Sequence, residues 1–467
     1  MRPSIRRSFA VLSLLLLAAD PAPPAPPAPP KADAPEASGL ANLDFREVIR
    51  KAKDKVFPAV VYIRCIQESH EMGKKVSQEI SGSGVLISAK GEMLTNWHVI
   101  DKATEIRCLL SDGRSFQAEV VGSDKDTDLA LVRLRLANDS EAVPFAVIGS
   151  SSNLKEGDFV MAMGAPWGLN RSVSMGIIAC TRRFLPDHSE YSLWLQTDAS
   201  ISPGNSGGPL VNTAGEIIGL NTRGVLQGGD MGFAVPSETI ELIARQLREH
   251  GNVDWSWTGL QLQPLRDFNR NIVFEGKEGV VVAGTDPESP ARRAGFQARD
   301  RILRVNGTAT NAMTEEDLPT VRKFLGLLPK NAPSKFEIVR DGKASTLELA
   351  PREKGKVEGD ELDLPRWDFT VKTINQFDNP DLFFHRKEGI FVYGIKHPGN
   401  ASGAGLSTKD ILLEIDGKAV KTLEDVRPLL KSALESVQTR HKIVLTVLRN
   451  GLMRQVVLDF SRDFEKE

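Results

Sequence analysis

The sequence predicts a mainly β chain: a sandwich or barrel of many short strands, followed by two tandem domains of about a hundred residues each. Three observations carry this. Between Ser81 and Gly229, short apolar runs alternate with Gly, Asp and Asn turns, a spacing that suits a sandwich or barrel and not a doubly wound sheet. After Gly251 the sequence repeats itself. Glu278-Gly279-Val280-Val281-Val282 parallels Glu388-Gly389-Ile390-Phe391-Val392, Ala294-Gly295-Phe296 parallels Ala404-Gly405-Leu406, and Asp300 to Gly307 parallels Asp410 to Gly417, all at one offset (389 − 279 = 405 − 295 = 417 − 307 = 110). Finally, 467 residues are more than a single core organises.

The N-terminus reads as an export signal. Arg2, Arg6 and Arg7 precede an apolar run from Phe9 to Ala19, long enough for a signal-peptide core and too short to span a bilayer. A clean small-residue cleavage site is missing, so retention of this segment as a membrane anchor is the alternative. Residues 21–30 are an alternating Pro and Ala tract, poor in backbone donors and suited to a stiff polyproline spacer. The formal net charge of −2 gives no reason to expect a nucleic-acid partner.

Asp44 to Lys55 places Phe45, Val48, Ile49 and Ala52 at helical spacing, and Pro58 stops the helix. Ala59 to Ile63 is a strand, and the polar residues 67–80 read as an exposed loop. Further strands are expected at 84–87, 93–95, 106–110, 129–132, 159–162, 193–195 and 217–220. Ser237 to Glu249 closes the region as a helix, with Ser237 as its cap and Ile240, Leu242, Ile243 and Leu247 on one face. Cys65, Cys108 and Cys180 cannot all pair within one chain. Each lies in a strand-like apolar run, so buried thiols are expected, with a Cys65–Cys108 bridge as the alternative.

The chemistry centres on Gly204-Asn205-Ser206-Gly207-Gly208-Pro209. A serine between glycines on a sharp turn exposes its hydroxyl and frees neighbouring amides to point at one spot. Two other residues stand where they can serve it. His98 follows the strand at Thr95, and Asp128 stands at the mouth of the strand Leu129 to Val132. A lone histidine is usually structural, and Asp128 alone is equally a turn residue. Together, His98, Asp128 and Ser206 follow the chain order of chymotrypsin-like proteases.

From about Phe45 to the C-terminus the sequence resembles the HtrA (DegP/DegQ-like) family of trypsin-fold serine proteases. The resemblance is carried by Gly82-Ser83-Gly84-Val85, Thr95-Asn96-Trp97-His98-Val99, Leu110-Ser111-Asp112-Gly113-Arg114, Thr127-Asp128-Leu129-Ala130, Gln196-Thr197-Asp198-Ala199, Gly204 to Leu210 and Gly232 to Ser237. It implies a chymotrypsin/trypsin-like double β-barrel followed by two α+β PDZ domains. The implied divisions are a signal peptide (1–19), a Pro-rich spacer (20–43), a protease domain (44–250), a first PDZ domain (255–352), a linker (353–362) and a second PDZ domain (363–464).

The resemblance assigns Ser206 as nucleophile, His98 as base and Asp128 as its orienting carboxylate. It places the oxyanion hole at the amides of Gly204 and Ser206, with Asn205 as a further contributor. The substrate pocket is expected at Ser200 and Ile201, walled by Leu220, Asn221 and Thr222, and suited to small aliphatic side chains. Arg223 just beyond is read as a solvated loop residue, or else a contact to substrate or a regulatory loop. Trp97 departs from the small or polar residue usual before the histidine. Thr258-Gly259-Leu260 would be the peptide-carboxylate loop of the first PDZ domain; in the second, Arg366-Trp367-Asp368-Phe369 lacks the glycine. The geometry of the serine turn is expected to depend on loops around 166–190 and 221–231.

The function implied is an ATP-independent endopeptidase of the periplasm or cell envelope that cleaves unfolded or damaged proteins, without metal or other cofactor. C-terminal peptides would bind the first PDZ domain, and the chain would form a homotrimer or larger homo-oligomer. The rival is a chaperone or peptide-binding scaffold whose protease site rests inactive.

Overall fold

The computed structural model describes residues 44–138, 140–166, 171–185, 189–225, 231–270, 276–464 and 466. The expected signal peptide and spacer lie outside these residues, as do parts of the loops around 166–190 and 221–231. The first helix, α1 (Phe45–Val56), buries Ala52 and Val56 and ends in a single turn containing Pro58.

Twelve strands then close into two barrels. The first holds β1 (Val60–Ser69), β2 (Val76–Leu86), β3 (Glu92–Thr95), β4 (Ala103–Leu109), β5 (Ser115–Asp124) and β6 (Leu129–Leu134), in the order β1-β2-β3-β6-β5-β4. A one-turn helix, α2 (Trp97–Ile100), follows β3. The second holds β7 (Phe159–Gly164), β8 (Ser172–Arg183), β9 (Trp194–Thr197), β10 (Pro209–Asn212), β11 (Ile217–Val225) and β12 (Met231–Pro236), in the order β10-β11-β12-β9-β8-β7. Closure removes free sheet edges. Residues of both barrels share one core, with Leu94, Leu131, Met163, Trp194 and Leu220 in it. The helix α3 (Ser237–His250) adds Ile240, Ile243 and Leu247.

Two expectations change here. Residues 67–80 are no loose loop: they are the turn end of the β1–β2 hairpin, with Gln67 opposite Gln78 and Ser69 opposite Val76. Ser237 does not cap α3. Its hydroxyl accepts the Ser151 amide at 2.8 Å, and Glu238 in the first turn takes the Ser152 amide at 2.8 Å, so the helix start is tied to the 150–152 loop. The cysteines are free thiols: Cys65 and Cys108 are buried as expected, on paired strands, whereas Cys180 is only half-buried. Burial pushes the Cys65 thiol up to about 12.

The two repeats fold alike. The first comprises β13 (Ser256–Trp257), β14 (Leu260–Gln263), α4 (Leu265–Arg270), β15 (Val280–Thr285), α5 (Pro290–Arg293), β16 (Arg301–Val305), β17 (Thr308–Ala309), α6 (Leu318–Gly326), β18 (Ser334–Arg340), β19 (Lys343–Leu349) and β20 (Arg352–Glu353). The second comprises β21 (Glu361–Leu364), β22 (Phe369–Thr373), α7 (Pro380–His385), β23 (Ile390–Ile395), α8 (Asn400–Gly403), β24 (Ile411–Ile415), β25 (Lys418–Ala419), α9 (Leu423–Glu435), β26 (Lys442–Arg449) and β27 (Leu452–Asp459). The sheets run β14-β15-β16-β18-β19 and β21-β22-β23-β24-β26-β27. The segment expected as a linker is structured at both ends, since β20 pairs with β13 and Glu361 and Leu362 belong to β21.

Each repeat buries the same ion pair. Arg340 donates to Asp300 through Nε at 2.6 Å and a terminal nitrogen at 2.7 Å, and Arg449 does the same to Asp410 at 2.6 and 2.5 Å. Both aspartates are fully buried, where a forked guanidinium compensates a carboxylate well. Replacing only the cation strands the buried charge. Arg340→Met should therefore destabilise the first repeat by about 3 kcal/mol, read as faster amide exchange in β16 and β18 with β24 and β26 unchanged.

Candidate active site

The serine turn sits on the seam between the barrels. Gly204 (φ +96°) and Gly207 (φ +84°) adopt left-handed backbone, and a Cβ on Gly207 would stand 2.1 Å from the Ser83 carbonyl. Only glycine meets both demands. Ser83, from β2 of the first barrel, holds the turn on two sides. Its amide donates to the Ser206 carbonyl at 2.8 Å. Its hydroxyl donates to the Gly204 carbonyl at 2.6 Å and accepts the Ala165 amide at 2.8 Å. Thr95 Oγ1 in turn donates to the Ser83 carbonyl at 2.8 Å.

The histidine and aspartate meet across α2 and the turn before β6. Asp128 takes φ +55°, a left-handed conformation that aspartate tolerates better than most residues. Its carbonyl accepts the Trp97 amide at 3.2 Å and Asn96 Nδ2 at 3.0 Å. This aims the carboxylate at His98, whose Nδ1 lies 2.9 Å from each oxygen and whose amide donates to Oδ1 at 3.1 Å. Asp128 is 5% exposed. Asn96 Nδ2 also donates to Thr222 Oγ1 at 3.1 Å, tying the aspartate turn to the second barrel. Trp97 is half-buried and carries Lys125 over its ring at 5.0 Å.

The turn itself hangs on Asp124. That carboxylate accepts the Thr127 amide at 3.0 Å, the Thr127 hydroxyl at 2.5 Å and Trp255 Nε1 at 2.9 Å. Burial first, and then the nearby Asp126 charge, push it up to about 6.

Ser206, His98, Ser200, Ile201, Thr222 and Met231 line one cleft of about 400 Å³. The Ser206 hydroxyl donates to the Thr222 carbonyl at 2.9 Å, and among the described residues no hydrogen bond joins it to His98. Of the expected pocket wall, Leu220 and Asn221 are absent. Leu220 belongs to the shared core, and Asn221 is fully buried with Nδ2 donating to the carbonyls of Met163 and Pro209 at 3.2 and 3.0 Å. Arg223 lines the cleft, half-buried, so the solvated-loop reading does not describe it. The Asn205 amide is not available to a substrate, because it donates to the Ser202 carbonyl at 2.9 Å. The amides of Gly204 and Ser206 carry no protein partner among the described residues.

A second cleft, of about 440 Å³, lies in the first repeat. Thr258, Gly259, Leu260 and Leu262 form one side, and Arg322 and Leu325 of α6 the other. Gly259 takes φ +71°. Its carbonyl accepts the Asp286 amide and that of Thr258 the Ala291 amide, each at 2.9 Å. Phe377 and Phe383 of the second repeat complete the cleft wall.

Comparison with known proteins agrees with this architecture. The trypsin-like peptidase domain family matches residues 82–220, and the PDZ domain family matches residues 281–322. A probable periplasmic serine endoprotease DegP-like of Halomonas elongata is 33% identical over 360 residues, covering 75% of this chain and 73% of that protein. The chain belongs to the DegP-like serine endoproteases. A protein of the same description from Pseudomonas fluorescens is 32% identical over 383 residues, covering 79% of this chain and 77% of its own. The solved structure of the HtrA-type protease AlgW with tripeptide superposes on the protease with a TM-score of 0.58, at 31% identity, over 66% of this chain and 97% of its own. The serine endoprotease from Yersinia pestis gives 0.51 at 30% identity, over 65% and 97%.

Ser83 escaped a role in the sequence reading because nothing in Gly82-Ser83-Gly84 shows what lies across the seam. Ser83→Ala removes the donor to the Gly204 carbonyl and leaves the Ala165 amide without its acceptor, a loss of about 1–3 kcal/mol. Casein hydrolysis by this protease should fall about ten-fold or more in kcat, with the fold intact by circular dichroism.

Asp124 gives a pH prediction. A carboxyl whose folded value lies above its unfolded one favours the protonated fold. The stability it supports is complete below about 4 and is lost as pH rises through about 6. Across that window, wild type should lose about 3 kcal/mol relative to Asp124→Asn, measured by chemical unfolding at successive pH values.

Proposed function

We propose that the protease is an exported, ATP-independent endopeptidase that hydrolyses unfolded envelope proteins through Ser206, His98 and Asp128. The observation that carries this reading is the paired contact of His98 Nδ1 with both Asp128 oxygens in a cleft shared with Ser206. That contact fixes the histidine tautomer, leaving Nε2 to act as base. The Ser206 hydroxyl then turns from the Thr222 carbonyl to His98, attacks the scissile carbonyl and gives up its proton. His98 passes this proton to the leaving amine. Asp128 stabilises the imidazolium without itself being protonated. The amides of Gly204 and Ser206 take the oxyanion, each such donor worth about 3 kcal/mol.

The cleft supports a preference for small aliphatic side chains. Ile201 packs beneath Gly232, where a Cβ would come within 2.8 Å of it, and Met231 lies alongside. Ser200 brings no charge to the cleft base. The first PDZ domain takes C-terminal peptides in the cleft between β14 and α6. β14 is the edge of its sheet, free for an added strand.

The Ser206–Thr222 bond also favours a resting state in which the protein binds clients without cutting them. Casein degradation beside Ser206→Ala decides between the two. We expect kcat to fall by at least about 10³-fold in the variant. Equal inertness of both proteins, across temperatures and with added C-terminal peptides, would leave only the binding reading.

A further inference from the structure

The two repeats differ where a peptide would bind. In the first, β14 is the sheet edge, and the space between it and α6 is open. In the second, the corresponding edge of β22 is already paired. β21 lies antiparallel along it, with Glu361 opposite Lys372, Leu362 opposite Val371, Asp363 opposite Thr370 and Leu364 opposite Phe369. A peptide whose C-terminus met the loop before β22 would run in this same direction, with its last side chain at the Leu364 position.

The side chains fit that role. Leu364 is fully buried and Leu362 half-buried, both in the cluster that includes Leu423, Val426, Leu429 and Leu430 of α9. The loop before β22 brings its own carboxylate. Asp368 accepts the Asn400 amide at 2.8 Å and faces Lys396 Nζ at 3.4 Å. The Asp368 carboxylate is thus turned inward and satisfied, and does not face the place of a peptide terminus.

β21 is also fastened to the protease domain. Glu361, 6% exposed at its side chain, accepts Lys102 Nζ at 2.7 Å and lies 3.0 Å from His70 Nδ1 and 3.3 Å from Lys372 Nζ. Thr370 Oγ1 donates to the His70 carbonyl at 2.6 Å, and Tyr393 donates to Glu71 at 2.8 Å. The backbones touch here: a Cβ on Gly394 would stand 2.2 Å from the Glu71 carbonyl. Lys102 follows the helix that carries His98. Gln67, three residues before His70, donates to the carbonyls of His98 and Val99 at 3.2 Å.

We propose that the second repeat is a PDZ peptide site whose resident ligand is this chain's own Glu361–Leu364, locked in place by Glu361 on Lys102 and His70. A free peptide of the same chemistry, ending in an aliphatic residue with acidic residues at alternate positions, enters only after that strand leaves. The second repeat is therefore closed to clients while it stays docked, and the first carries peptide capture alone.

Amide exchange on the full chain in a Ser206→Ala background tests this. In that protein, segments 361–364 and 369–373 should exchange as slowly as β24. Glu361→Ala should speed both segments about ten-fold or more, with β24 and β26 unchanged; Leu364→Asp should speed them further. A synthetic peptide copying residues 356–364, with a free terminal carboxylate, should then protect 369–373 in the variants and not in the parent. Protection of 260–263 reports the first cleft separately. Should Leu364→Asp unfold the repeat, seen as lost protection in β24 and β26, Glu361→Ala decides. The proposal is overturned if 361–364 exchanges freely in the parent, if Glu361→Ala changes nothing, or if the peptide protects only 260–263 in every protein.

Discussion

The site depends on a backbone contact between two barrels that fold from separate stretches of chain. Ser83 on β2 grips the serine turn through its amide and hydroxyl at once. Without that grip, the amides of Gly204 and Ser206 would have no fixed aim, and the oxyanion role proposed for them rests on preorganised aim. The contact is only as close as Gly207 allows. The seam thus converts packing between barrels into chemical geometry, and a small loss of packing there is felt as a loss of rate.

A second constraint reaches the aspartate turn from outside the protease domain. Lys354, in the segment joining the repeats, donates to both oxygens of Asp126 at 2.8–2.9 Å, and Lys125 pairs with Glu358. Burial disfavours the Lys354 charge, but Asp126 and Tyr191 hold it protonated above the ordinary lysine range. Trp255 joins the same group, stacked on Tyr191 with 4.2 Å between centroids while bonded to Asp124. The residues bracing Asp128 therefore come from both sides of the domain boundary, which gives the repeats a physical hold on the turn that carries it.

The parts of this arrangement legible in the sequence are those whose meaning is local. His98, Asp128 and Ser206 sit in motifs of fixed order, and the 110-residue offset aligns β15 with β23 and β16 with β24. Alternation along β11 is harder to read. The run from Ile217 to Thr222 shows no apolar–polar alternation, so which residues face the cleft and which the core depends on a bulge near Asn221 and Arg223. Strands β5 and β8 escaped notice because their polar outer faces dilute the apolar signal. The tip of the β1–β2 hairpin looked like solvent-facing loop because its partners, Glu361, Thr370 and Tyr393, lie about three hundred residues away. No local pattern announces a charge whose counter-ion is that distant.

The hairpin between β21 and β22 spans only residues 365–368. A strand tethered so closely meets its partner at an effective concentration of about millimolar or more. A diffusing competitor must overcome that concentration before it contributes anything, so its occupancy would stay near zero until it outweighed the tether. If the proposed resident strand holds, shortness of a turn thereby becomes a threshold: the second repeat would disregard scarce peptide ends and register only abundance.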